Sequence, residues 1–152
     1  MSKNDMSSNS EVAAAASRLL ADSYTLYLKT HNFHWNVTGP MFTTLHNLFM
    51  TQYTELSLAV DEIAERIRAL DHPAPGSYTQ FAALARVQEA IDVPKAEEMI
   101  RILVADHATV AATARELVAV AEKAGDAASA DLGVRRIDVS EKAAWMLRSH
   151  LG

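Results

Sequence analysis

The chain has no cysteine in its 152 residues, which removes disulfides, thiolate metal sites, iron–sulfur clusters and cysteine nucleophiles together. Any metal must therefore be held by imidazole and carboxylate. Glycine and proline are scarce, at five and four residues. The glycines are too scattered for a dinucleotide or phosphate loop, and neither a Gly-x-Ser-x-Gly elbow nor a His-Glu-x-x-His pair occurs. No uninterrupted apolar run exceeds five residues, too short for a membrane-spanning helix. Basic residues are in deficit, fourteen against nineteen acidic ones for a formal charge of −5. That balance disfavours a general affinity for phosphate backbones and suits a protein that handles cations.

What is present is globular. Hydrophobic residues make up 49% and charged residues 22%, and the mean hydropathy is near zero; the length is that of one domain, enough to bury ~70% of its unfolded surface. Residues 1–10 are polar and are expected to form a flexible N-terminal tail, with 11–152 a single domain. The alanines of 13–16 run into Arg18 and Asp22 rather than into a secretion signal, which predicts a cytoplasmic protein.

Turn-forming residues cluster at Gly39-Pro40, at Pro73 to Gly76, at Pro94, and at Gly125 with Gly133. Between them apolar residues recur three and four apart, the helical period. The first helix is expected from a Ser10 cap to about Val37, with Val12, Ala16, Leu19, Ser23, Leu26, Thr30 and Phe33 as its buried stripe. The second starts near Phe42 and carries Leu45, Phe49, Tyr53, Leu56, Val60, Ile63, Ile67 and Leu70. Pro94 opens the third, and the fourth is expected from about Asp131 to near His150. Short links make helices one and two, and three and four, antiparallel hairpins. The link from two to three is long enough to cross the bundle, with a short helix over Gln80 to Gln88. The expected class is all-α: a four-helix bundle with one long crossover carrying a short extra helix, the ferritin-like layout.

The Glu-x-x-His pairs that place a di-metal site inside a single bundle are absent. The remaining candidates lie around the first turn. His34 and His46 stand six residues before and six after Pro40, at similar heights on adjacent antiparallel helices, where they can face each other. Asp61 and Glu65 are an i,i+4 carboxylate pair on one face of helix two. His46 and Asp61 are fifteen residues apart on that helix, ~22 Å at 1.5 Å per residue, too far for one metal with bonds of ~2 Å. A second copy related by a two-fold axis would bring its carboxylates to the first copy's histidines, the two copies of helix two crossing near Thr54 and Glu55.

The run His34-Trp35-Asn36-Val37-Thr38-Gly39-Pro40-Met41-Phe42, then Leu45-His46, then Asp61-Glu62-Ile63-Ala64-Glu65-Arg66 closely resembles the Dps family, the DNA-protection-during-starvation miniferritins. The likeness covers about residues 11 to 150. It implies a homo-oligomer, a hollow dodecamer. Such a shell binds Fe(II) at ferroxidase centres shared by two-fold-related subunits, oxidises it preferably with hydrogen peroxide and stores Fe(III). On this resemblance His34 and His46 come from one subunit and Asp61 and Glu65 from its partner, while Trp35 lies beside the iron and donates an electron. Glu122, Asp126 and Asp131 would flank a three-fold pore.

Two positions depart from the family pattern. Met50 stands where many members have an acidic residue that helps hold a second iron, with His31 as a candidate substitute. The amino-terminal stretch carries Lys3 alone beside Asp5 and Glu11, so DNA binding is expected to be weak or absent. Each candidate has an ordinary structural alternative. Asp61 and Glu65 could be a solvated helix face with Glu65 paired to Arg66 or Arg68, Trp35 and Trp145 could be packing anchors, and Asp131 could be a helix cap. At the level of function, the alternatives are a DNA-condensing particle with incidental iron chemistry and a four-helix protein holding a small ligand within one subunit.

Overall fold

The computed structural model describes residues 3–152, and most of them are helical. Four long helices, α1 (Lys3–Asn36), α2 (Phe42–Ala69), α4 (Ala96–Lys123) and α5 (Ala127–Arg148), form the bundle. The short α3 (Tyr78–Leu84) lies in the crossover, and a 3₁₀ turn, Ser149–Leu151, closes the chain. Helix α1 packs along α2 and α4, α4 packs along α5, and α3 lies against α1.

The expected α1 stripe is the core: Val12, Ala16, Leu19, Ser23, Leu26, Thr30 and Phe33 are all fully buried. The start of the helix differs from expectation. Lys3 to Ser10 are helical and Ser10 lies within α1, while Met1 and Ser2 of the expected tail lie outside the described residues. Extending a nucleated helix through polar residues costs only a few tenths of a kcal/mol per residue, so Ser10 has no orphan N–H to cap.

Helix α5 also begins earlier than expected. Its cap is Asp126, whose carboxylate accepts from Ser129 N at 3.0 Å, and Asp131 lies one turn inside. The preceding turn closes α4 through Gly125 at φ 71°, with Asp126 N donating to Ala121 O at 2.8 Å and Gly125 N to Glu122 O at 3.1 Å, a Schellman stop. The buried face of α5 is made of small and polar residues, Ser129, Gly133, Arg136, Ser140, Ala143 and Ala144, together with Leu132 and Leu147. Gly133 lets α5 approach α4 closely: a Cβ there would meet Val118 Cγ2 at 2.7 Å and the Ala114 carbonyl oxygen at 3.1 Å.

Helix α3 is capped by Ser77, which accepts from Gln80 N, and ends at Leu84, four residues before the expected Gln88. Buried Asp22 on α1 stops it by accepting Arg86 N at 2.6 Å and Val87 N at 3.0 Å. The same carboxylate accepts from Thr113 Oγ1 on α4 at 2.6 Å. Lys29 holds the next stretch, donating to Gln88 O at 2.8 Å and pairing with Asp106 at 2.8 Å. The crossover is thus pinned to the α1–α4 seam by buried polar groups. Among the described residues no helix is long and apolar enough to cross a membrane.

Candidate metal centre

His34 lies in the last turn of α1 and His46 in the second turn of α2. The intervening turn passes through Gly39 at φ 103°, a backbone conformation that favours glycine. It returns the chain so closely that the two imidazoles stack, with centroids 3.8 Å apart and planes inclined by 14°. Each ring is anchored by the other residue's backbone: His34 Nδ1 donates to His46 O at 2.7 Å, and His46 Nδ1 donates to His34 O at 2.7 Å. A carbonyl oxygen only accepts, so both protons sit on Nδ1 and, in the neutral rings, both Nε2 lone pairs remain available. An N–H···O=C bond of this kind, on the nitrogen that faces away from the metal, orients an imidazole for ligation.

Asp61 and Glu65 are brought together on the exposed face of α2. A hydrogen bond to Asp61, followed by the negative charge of Asp61, holds the Glu65 carboxyl above the usual carboxylate range. The arginines that could have neutralised this pair are engaged elsewhere: Arg66 binds Asp126 at 3.1 Å and Ser129 at 2.9 Å, and Arg68 donates to His72 O. Two carboxylates pressed together without a cation form a binding position for one. Within one described chain, no group of three or more His, Asp or Glu residues is placed to hold a metal. The imidazoles and the carboxylates remain two half-sites. Beside Asp61 runs a groove of about 560 Å³ lined by Leu20, Tyr24, Val60, Ala64, Tyr78 and Phe81.

Trp35 is 58% exposed, with its ring 4.0 Å from that of His31. His31 in turn stacks on Tyr53 at 4.2 Å, and Tyr53 stands edge-on to His34 at 5.2 Å. Burial, then the proximity of His34, lowers the pKa of His31. Sequence reasoning placed Tyr53 in the apolar stripe and missed its position against the histidines. The available signal was the seven-residue spacing of Tyr53 from His46 and of Tyr27 from His34, two helical turns on one face.

The three carboxylates expected at a pore differ in their surroundings. Partial burial works against ionised Asp126, but hydrogen bonds from Ser129 and Arg66 outweigh it and hold the carboxyl below its ordinary range. Asp131, which sequence reasoning allowed as a cap, is exposed and pairs with Arg135 at 3.0 Å; Arg135 also reaches Glu62 at 2.7 Å. Glu122 is exposed at the end of α4.

A four-helix bundle with one long crossover, carrying histidines and carboxylates on its helices, defines a ferritin-like protein. The family model for the ferritin-like domain matches residues 13–152. A DNA protection during starvation protein of Brevibacillus brevis is 36% identical over 141 residues, covering 92% of this chain and 94% of that protein. DNA protection during starvation protein 2 of Bacillus anthracis is 34% identical over 143 residues, covering 94% and 98%. Among solved structures, a Dps protein from Bacillus brevis superposes with a TM-score of 0.93 at 34% identity over 100% of both chains. The Dps protein of Vibrio cholerae, described as a member of the ferritin-like diiron-carboxylate superfamily, gives 0.92 at 30% identity over 97% of this chain and 92% of that one. The chain belongs to the Dps family.

Proposed function

We propose that this protein is a ferroxidase miniferritin that takes up Fe(II), oxidises it with hydrogen peroxide and stores the Fe(III) product in a hollow homododecamer in the cytoplasm. The substrate iron binds between subunits: His34 and His46 of one copy present their Nε2 atoms, and Asp61 and Glu65 of a two-fold-related copy supply carboxylate oxygens. The observation that carries this reading is the pair of complementary half-sites. Two imidazoles hold their protons on Nδ1 against backbone oxygen, and two carboxylates on the same helix crowd each other while the neighbouring Arg66 and Arg68 are engaged elsewhere. Their separation of ~22 Å along α2 requires a neighbour to complete the site.

Imidazole suits Fe(II), and hard carboxylate oxygens favour the more highly charged ferric product. Met50, exposed on the same face of α2, offers no oxygen for a second ion, so one iron per centre is the stoichiometry this ligand set supports. Glu122 and Asp131 would draw cations towards an entrance, with Asp126 fixing the turn between them. Protection of DNA would follow from consuming iron and peroxide together. The charge of −5 and the single Lys3 near the amino terminus support weak or absent DNA binding.

The test is the double variant Asp61→Ala, Glu65→Ala. Stopped-flow measurement should show peroxide-dependent Fe(II) oxidation slowed at least tenfold, while sedimentation shows the assembly intact. Oxidation at the wild-type rate in an intact assembly would reject the site.

A further inference from the structure

In a chain without cysteine, the thioethers of methionine are the side-chain groups that accept an oxygen atom from peroxide. Among the described residues three methionines are exposed: Met6 at 53%, Met50 at 43% and Met146 at 39%. Met99 is fully buried, and Met41 is half-buried against the core. Of the three exposed ones, only Met50 stands one helical turn from a proposed iron ligand, four residues after His46 on α2. Met6, although the most exposed, lies 28 residues before His34 on α1, ~42 Å away along the helix.

The direction of the side chain adds to the spacing. A long helical side chain leans back over the turn N-terminal to its own Cα, which is why residues i and i+4 meet. Met50 therefore leans over the turn that carries His46. That ring donates from Nδ1 to His34 O at 2.7 Å, which leaves Nε2 as its metal-facing atom. Peroxide at an iron held by this nitrogen comes within reach of the Met50 sulfur. A thioether is a soft donor, poorly matched to iron that carboxylates hold, whereas a sulfoxide presents a hard oxygen.

We propose that Met50 is an oxidation site built into the centre: peroxide converts its thioether to the sulfoxide, and the sulfoxide oxygen then serves as a metal ligand beside His46. This rests on the ferroxidase reading above. The step balances as R–S–CH3 + H2O2 → R–S(=O)–CH3 + H2O. The O–O bond breaks and a bond from sulfur to oxygen forms. Sulfur gives up two electrons and peroxide takes them; one peroxide oxygen stays on sulfur, and the other leaves as water with both hydrogens. Iron at His46 holds and polarises the peroxide and is unchanged by this step. The centre thus gains an oxygen donor through its own chemistry, and reduction of the sulfoxide by methionine sulfoxide reductases resets it.

The full-length assembly is given peroxide with Fe(II), or peroxide alone, and oxidation at each methionine is followed by peptide mass spectrometry. Iron should accelerate sulfoxide formation at Met50 at least tenfold over peroxide alone, while the rates at Met6 and Met99 change less than twofold. The second measurement uses Mn(II), which favours oxygen donors, as the probe. Calorimetric titration should show the oxidised, iron-free protein binding Mn(II) severalfold tighter than the reduced protein, and treatment with methionine sulfoxide reductases should abolish the gain. Met50→Gln, which carries an amide oxygen in place of the sulfoxide, should bind Mn(II) like the oxidised protein. Met50→Leu should show no gain after peroxide. If Met50 is oxidised no faster than Met6 while the protein oxidises Fe(II) normally, or if its sulfoxide forms without tightening Mn(II) binding, the proposal is wrong and the ferroxidase reading stands. If wild type oxidises no iron with peroxide, both fall.

Discussion

His107, in the middle of α4, is 3% exposed, and among the described residues neither ring nitrogen has a hydrogen-bond partner. Burial, then the positive charge of Arg136, pushes its pKa down to about 4 from 6.5. The folded ring is therefore neutral, and as pH falls the unfolded chain takes up a proton first. The sign follows: stability is lost as pH drops from about 6.5 towards 4, by about 3 kcal/mol for this one group. Equilibrium denaturation at pH 7 and pH 4 should show His107→Leu losing about 3 kcal/mol less than wild type over that interval. An equal loss in both would mean that the ring is protonated in the fold. At His34 and His46 the reciprocal bonds to backbone oxygen select the tautomer that leaves Nε2 open.

The crossover depends on one buried carboxylate more than on its own short helix. Asp22 accepts from two backbone N–H groups of the crossover and from Thr113 on α4, joining α1, the crossover and α4 through one side chain. Asp22→Ala leaves two buried donors, Val87 N and Thr113 Oγ1, and the part-buried Arg86 N without their acceptor, each fully buried one costing ~1–3 kcal/mol. We expect a destabilisation of about 3 kcal/mol or more, with amide hydrogen exchange accelerating first at residues 78–90. Uniform exchange across all the helices would place the loss in the core instead. On the other side of the bundle the α2–α5 seam is also polar, closed by Glu55 with Arg136, by Gln52 donating to Ala143 O, and by Arg66 with Asp126.

Across the whole molecule, one exposed stripe of α2 carries Met50, Thr54, Leu58, Asp61 and Glu65. Leu58, at 70% exposure, lies one helical turn beyond Thr54, the midpoint between His46 and the carboxylate pair. An antiparallel crossing of two copies of α2 near Thr54 would bury Leu58 and bring each copy's carboxylates towards the other's histidines. Leu58→Asp should therefore shift the protein towards monomer on sedimentation and slow iron oxidation at least tenfold, although all four proposed ligands remain. Full activity in the monomer would show that a single chain completes the centre.

The helices were legible because their buried positions are apolar at helical spacing: the α1 stripe needs no correction, and Asp61 with Glu65 follows from i,i+4 geometry alone. The start of α1 was less legible because Ser10 is a favourable cap only where a helix must begin. The start of α5 was missed because its buried face is written in Ser, Gly, Ala and Arg, which give no hydrophobic period. The likeness of His34 and His46 to ligands was visible in their spacing about Pro40, but the locking of each Nδ1 on the other residue's carbonyl was not.

The sequence by itself determined the helical period, the chemical nature of the available ligands and the distance that keeps imidazole and carboxylate apart on one helix, because these follow from residue identity and a fixed rise per residue. Only the tertiary structure decided which arginines leave Glu65 without a cation, which nitrogen of each histidine stays open and that Tyr53 lies against His34. Most of these are contacts between separate helices, set by how the helices pack, and spacing along one helix does not fix them.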